Sequence, residues 1–243
     1  LSFGILPALE FKAEGVRVLG VDGKEMATLG ALDARVGALS LLTGGVALDR
    51  LVVTEPKLTL AIDAAGRGNW QAATAAAPGA RGGAGGGAGA GSFSLGEVRI
   101  ENGALNFTDA RSGQKIAATG INATAALPDF DSTLAAKLTL VLNGKKLDAN
   151  LELASPRKLL SVQPANVKAE LKSEAVNFNA DGAVTLTALP KFAGNIDLSV
   201  PSVGALASWL GRPLPSGQSD PGKLVARARM KSEGPTYVIE EVV

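Results

Sequence analysis

The 243-residue chain has neither cysteine nor histidine. Without cysteine there are no disulfides, thiolate nucleophiles, zinc–thiolate sites or iron–sulfur clusters. Without histidine the Ser-His-Asp triad is gone, along with the usual general base and the commonest metal ligand. Most enzyme mechanisms thus lose a required group, and neither a catalytic residue nor a metal or cofactor is expected. Aromatic residues are few, at seven Phe, two Trp and one Tyr, which leaves little on which bases could stack. The 24 Lys and Arg balance 23 Asp and Glu along the whole chain. There is no basic footprint, and nucleic acid is not an expected partner. No run approaches the roughly 18 apolar residues that a membrane-spanning helix requires. The chain starts at Leu1 without a charged n-region and apolar h-region, and so reads as an excised or processed part of a longer protein.

What is present is glycine, alanine and alternation. From about Ala72 to Gly91 all patterning gives way to Ala and Gly with one charge, Arg81. This reads as a flexible linker, assigned to 73–92, between an N-terminal part (1–72) and a C-terminal part (93–243). The spacing of its glycines matches neither G-x-G-x-x-G nor a phosphate-binding loop.

On both sides of the linker the dominant period is two. Leu138, Leu140 and Leu142 alternate with Lys137, Thr139 and Val141, and Leu147, Ala149, Leu151 and Leu153 alternate with polar residues. These are half-buried strands. Asn143-Gly144 between them suits a two-residue hairpin turn. Asn102-Gly103 and Asp181-Gly182 are expected to do the same, which predicts an antiparallel sheet. Further strands are expected at 9–19, 31–38, 46–53, 57–63, 114–126, 165–173, 191–199, 223–232 and 236–242. One short helix is expected at 202–210, with Ser202 as N-cap and Gly211 then Pro213 as its stop. A weak repeat aligns Leu51, Val53, Glu55, Pro56, Leu58, Leu60 and Gly66 with residues 47 further on, from Val98 to Gly113. Two similar hairpins would align in the same way.

Paired carboxylates are the residues a glycosidase would need. Asp129 and Asp131 flank Phe130 in a loop, and Glu240 and Glu241 point to opposite faces of a strand, so solvated charge accounts for both pairs. Asn106-Phe-Thr108 and Asn122-Ala-Thr124 match the glycosylation triplet, a pattern short enough to arise by chance. The apolar stripe is Leu, Val and Ala with few aromatics, which suits one broad sheet with a smooth apolar side. Alternation cannot say what covers that side, and the core of a sandwich fits the same pattern.

Three segments together resemble the AsmA family of bacterial envelope proteins. Leu51-Val-Val-Thr-Glu-Pro-Lys-Leu-Thr-Leu60, running into Asp63-Ala-Ala-Gly66-Arg-Gly68-Asn69-Trp70, is similar to that family's strand, "EP" turn, strand and G-x-x-N-W ending. Leu95-Gly-Glu-Val-Arg-Ile-Glu-Asn-Gly-Ala-Leu-Asn-Phe-Thr-Asp109 is similar to its "I-x-N-G-x-L-x-Y/F-x-D" segment, with Ser112-Gly113 after it. Leu198-Ser-Val-Pro-Ser-Val-Gly-Ala-Leu-Ala-Ser-Trp-Leu-Gly211, with Gly222-Lys-Leu after it, is the third. Gly66, Gly68, Asn69 and Trp70 read as a structural turn, with the indole laid over the sheet end.

The resemblance implies a mostly β fold, a large curved antiparallel sheet forming a groove, with one or two short helices. It implies a non-enzymatic lipid-binding or transport module in the periplasm, tethered to the inner membrane by an N-terminal helix that this chain lacks. Acyl chains, expected to be phospholipid, would lie along Leu138, Leu140, Leu142, Leu147, Leu151, Leu153, Val176, Phe178, Val184, Leu186, Ile196 and Leu198. The alternative is a scaffold for outer-membrane proteins that acts by protein contact at a sheet edge.

Overall fold

The computed structural model describes residues 9–20, 23–37, 46–70, 93–187, 190–233 and 236–242. The Ala/Gly stretch expected at 73–92 lies outside them. The chain divides into two compact units, Leu1–Asn122 and Ala123–Val243. The described residues are mostly strand with two short helices, and the sheet is mixed but mainly antiparallel.

The first unit holds β1 (Leu9–Leu19), β2 (Glu25–Val36), β3 (Val46–Thr54), β4 (Lys57–Ile62), β5 (Phe93–Asp109) and the start of β6 (Gln114–Leu127). The order is β1-β2-β3-β5-β6, with β4 between β2 and β5. β1, β2 and β3 pair antiparallel, whereas β3 and β4 both pair parallel with β5. The expected antiparallel sheet holds for most strand pairs, and the exceptions are β3 and β4 against β5. Period two does not encode strand direction, and the long connection from β4 to β5 gives the chain room for a crossover.

Glu55-Pro56 and Asn102-Gly103 are not hairpin turns. β5 runs through Asn102-Gly103 without reversing, and β3 and β4 lie end to end beside it. The alignment at an offset of 47 is the pairing register itself, from Leu51 opposite Val98 to Ile62 opposite Asp109.

A crease crosses this unit. Gly15 (φ 60°), Glu55 (φ 49°), Asn102 (φ 53°) and Gly120 (φ 57°) are all left-handed. Gly30 falls between the pairs Glu14–Ala31 and Val16–Leu29, level with Gly15. A Cβ on Gly30 would stand 3.3 Å from that of Glu55. The Asn102 N–H donates to Asn122 Oδ1 (3.0 Å), and Asn122 Nδ2 donates to the Gly120 carbonyl (2.9 Å). The apolar parity changes at the crease in every strand. Leu9, Phe11 and Ala13 give way to Val16 and Val18, Val98 and Ile100 to Leu105 and Phe107, and Ile116 and Ala118 to Ile121. One inserted residue, left-handed in β1, β5 and β6 and between β3 and β4, and Gly30 in β2, keeps the apolar residues on one face, since a one-residue shift otherwise exchanges the faces.

The second unit holds the end of β6, then β7 (Thr133–Leu142), β8 (Lys145–Ala154), α1 (Pro156–Leu160), β9 (Ala165–Ser173), β10 (Asn177–Thr185), β11 (Lys191–Val200), α2 (Val203–Trp209), β12 (Leu224–Glu233) and β13 (Thr236–Val242). From β7 to β13 each strand pairs with the next in sequence. Asn143 (φ 45°) and Gly144 (φ 81°) form the expected hairpin turn.

Asp181-Gly182 does not form one. β10 passes straight through it, with Gly182 paired to Val167 on one side and Gly194 on the other. A Cβ on Gly182 would stand 2.4 Å from the Ala193 carbonyl oxygen. The glycine therefore permits a close approach of two strands and makes no turn. The helix at 202–210 is α2, capped as expected by Ser202, whose Oγ accepts from the Ala205 N–H (2.9 Å).

Candidate functional site

Within the second unit, register aligns the alternating aliphatic residues into rows that cross the strands. Leu140 pairs with Leu147, Leu138 with Ala149 and then Leu171 and Phe178, and Phe178 with Leu198. Ala136 leads to Leu151 and Ala169, then through Ala180 to Ile196 and Ala228. Leu134 leads to Leu153, Val167 and Gly182, and Val184 lies opposite Phe192. The result is one apolar face spanning β7 to β12.

Most of these side chains are half-buried, and Leu151 is 37% exposed. Among the described residues, the main strand contacts run between hydrogen-bonded neighbours, and the strands belong to one sheet. The side chains are shielded by each other in the plane, unlike those of a sandwich core.

One end of the face is covered. Leu147, Ala175 and Trp209 are buried together, with Leu140, Leu142, Ala149, Leu171, Val176 and Leu206 packed around them. Trp209 Nε1 donates to the Leu142 carbonyl (2.5 Å), and Asn143 Nδ2 donates to the Trp209 carbonyl (2.8 Å). Helix α2 is thereby pinned over the β7–β8 turn. Its other end is held by Asp220, whose carboxylate accepts from Ser202 Oγ (2.5 Å), the Gly204 N–H (2.8 Å) and the Gly222 N–H (2.9 Å). These bonds favour the ionised form and hold the carboxyl below the usual aspartate range, the Ser202 hydroxyl contributing most.

Of the expected groove residues, Leu140, Leu142, Leu147 and Val176 therefore lie in the cluster under α2. Leu138, Leu151, Leu153, Phe178, Val184, Ile196 and Leu198 lie on the rest of the face, and Leu186 follows the end of β10.

The opposite face of the same sheet is polar. It carries cross-strand neighbours of opposite charge, including Lys168 with Asp181 (4.0 Å) and Arg227 with Asp197 (3.1 Å). These exposed pairs add little stability and mainly keep that face wet. A depression of about 630 Å³ on that side is lined by Asn177, Asn179, Asp197, Ser199, Lys223 and Arg227 among others.

In the first unit the expected structural turn doubles back on β4. Asn69 Oδ1 accepts from the Ala61 N–H (3.0 Å), and Asn69 Nδ2 donates to the Thr59 carbonyl (2.8 Å). Gly66 is left-handed at φ 83°. The Trp70 ring lies against Gly68, where a Cβ would fall 2.6 Å from it, and stays half-buried.

The paired carboxylates have structural partners. Asp129 accepts from the N–H groups of Asp131 and Ser132 and from Ser132 Oγ. Asp131 pairs with Arg157 at 2.9 Å. The side chains of Glu240 and Glu241 lie outside the described residues. Among the described residues no cluster of acidic side chains is arranged to hold a metal, and no helix is long and apolar enough to cross a membrane.

Trp209, Asn143 and Asp220 act as anchors that no local pattern in the sequence marks. Trp209 was visible as the one aromatic residue in the helix, but its partners lie more than 60 residues away. The sequence profile of the AsmA family matches residues 3–183, well over half of the chain. No curated protein matches the chain at a significant level.

Proposed function

The chain belongs to the AsmA family, and from that premise we propose that it is a non-enzymatic lipid-binding and transport module of the bacterial envelope. It works in the periplasm of a Gram-negative cell, tethered to the inner membrane in the full-length protein, and its cargo is the acyl chains of phospholipids. The observation that carries this reading is the β7–β12 face, where aliphatic rows cross six strands and stay half-buried, with Leu151 37% exposed. Each buried CH₂ contributes about 0.8 kcal/mol without directional preference. A wall of Leu, Val and Ala therefore holds a chain by area and lets it slide. No charged or polar side chain interrupts the rows that start at Leu138, Ala136 and Leu134, so a chain moving along them meets no desolvation step.

The test is organic extraction of the purified chain followed by mass spectrometry, with photo-crosslinking of an acyl-diazirine phospholipid. Crosslinks on Leu138, Leu151, Phe178 and Ile196 are expected. Crosslinks confined to the polar neighbours Asn150, Asn179 and Asp197 would overturn the assignment.

A second reading, a scaffold for outer-membrane proteins, draws on β1. Leu9 and Phe11 are more than half exposed on a strand that pairs with β2 alone among the described residues, a geometry that accepts an added strand.

A further inference from the structure

The end of the apolar face opposite α2 carries exposed aliphatic side chains. Leu160, the last residue of α1, is 70% exposed, Val162 is 55% exposed, and Leu186, just beyond β10, is 46% exposed. They lie at one end of the sheet, because Ala165 at the start of β9 pairs with Val184 near the end of β10.

Val162 has a second peculiarity. The Gln163 N–H donates to the Lys158 carbonyl (2.7 Å) and the Val162 N–H to the Leu159 carbonyl (3.0 Å). This is a Schellman ending of α1 in which Val162 takes the left-handed position (φ 56°) that normally falls to glycine. A β-branched residue is strained there. The chain thus keeps an outward-pointing aliphatic group where glycine would be more stable.

The charges at this end match that arrangement. Arg157 is paired with Asp131. Lys158, and Lys191 at the start of β11 opposite Thr185, are exposed, and neither belongs to an ion pair among the described residues. Aliphatic groups standing out beside free lysines fit the acyl and headgroup layers of an anionic bilayer.

We propose that this end, formed by Leu160, Val162 and Leu186 with Lys158 and Lys191, docks on an anionic lipid surface and is where acyl chains pass between the bilayer and the apolar face. The inference rests on the lipid-binding reading above. Trp209 and Leu206 cover the opposite end over β7–β9, which favours this end as the entrance.

The experiment is co-sedimentation of the full chain with vesicles of phosphatidylcholine alone and with added phosphatidylglycerol. Wild-type chain is expected to bind the anionic vesicles and not the neutral ones. Lys158→Glu and Lys191→Glu should each weaken binding about fivefold, and Leu160→Asp about tenfold. Val162→Gly should weaken binding while raising the melting temperature, which separates loss of docking from loss of folding. All of these variants should still crosslink a detergent-dispersed acyl probe, whereas Leu151→Glu should lose the crosslink and keep vesicle binding. Unchanged binding in the Leu160 and Val162 variants overturns the proposal, as does equal binding to neutral vesicles. Loss caused instead by Leu210→Asp or Leu224→Asp would place docking at the α2 end and overturn it too.

Discussion

Glu55, between β3 and β4, and Asn102 on β5 stand side by side with the same left-handed backbone, φ 49° and 53°. Hydrogen bonds bracket the pair, from the Glu55 N–H to the Glu101 carbonyl (2.8 Å) and from the Ala104 N–H to the Pro56 carbonyl (2.7 Å). An inserted residue in one strand alone would slip the register by one. Insertion in both keeps the offset of 47 on either side. The repeat in the sequence and the crease in the sheet are therefore one feature: two neighbouring strands bend at matched positions.

Glu55 is exposed, so substitutions there report on backbone strain with little interference from packing. Glu55→Val should destabilise the chain by about 1–2 kcal/mol, because a β-branched residue is disfavoured in the left-handed region. Glu55→Gly should be neutral or stabilising. Urea denaturation midpoints decide the matter, and equal midpoints for Val and Gly would mean that position 55 does not stay left-handed in solution.

The expected limits of β1, β9 and β13 coincide with the observed strands, because Gly20, Pro164, Ser173 and Pro235 mark those strand ends locally. The Asn143-Gly144 hairpin and the Ser202 cap were legible for the same reason. Asn102-Gly103 and Asp181-Gly182 were not. A left-handed turn, a crease and a close strand approach all call for the same residue types, and only the partner strand distinguishes them. The pairing of β3 and β4 with β5 was hidden because parallel and antiparallel ladders share one period. The apolar rows were readable as stripes, but their division into an end under α2 and a remainder depends on Trp209 meeting Leu142, 67 residues away.

Trp209 is the more deeply buried of the two tryptophans. Trp209→Ala should cost about 3–5 kcal/mol, as for other buried tryptophans. Trp70→Ala, which removes a half-buried ring lying on Gly68, should cost distinctly less. Trp209→Phe isolates the Nε1 hydrogen bond to Leu142, worth about 0.5–1.5 kcal/mol. Thermal melting of the three variants orders them, and a larger loss from Trp70→Ala would show that α2 is not the main anchor of its unit.

The dock of α2 should loosen in acid. Asp220 is held ionised by Ser202 Oγ and by the Gly222 and Gly204 N–H groups, so its folded pKa lies below its unfolded one. The stabilisation is fully present above the ordinary aspartate value of about 4 and is lost as the pH falls through the depressed folded value. Trp209 fluorescence, read in a Trp70→Phe background, should shift to the red over that window. An Asp220→Asn variant should show a shifted spectrum already at neutral pH and a flatter acid limb. Identical pH profiles with and without Asp220 would remove this carboxylate from the docking of α2.

Leu140 and Leu151 occupy one apolar face of the second unit, yet a carboxylate should act differently at each. Leu140 packs against the buried cluster of Leu147, Ala175 and Trp209. An unpaired charge against that cluster has no partner and little water, and a cost of several kcal/mol is a large share of the roughly 5–15 kcal/mol that holds a domain folded. Leu140→Glu should therefore melt far below the parent chain. Leu151 is 37% exposed, so the carboxylate of Leu151→Glu can stay hydrated at small cost, and the variant should melt near the parent while losing acyl crosslinking. Lys137→Glu, on the polar face, should change neither property strongly. Circular dichroism melting and crosslinking yield read both properties on each protein. If Leu151→Glu unfolds as Leu140→Glu does, the whole face is a sealed core and no acyl chain lies along it. If Leu151→Glu folds and binds as the parent does, the cargo lies elsewhere on the chain.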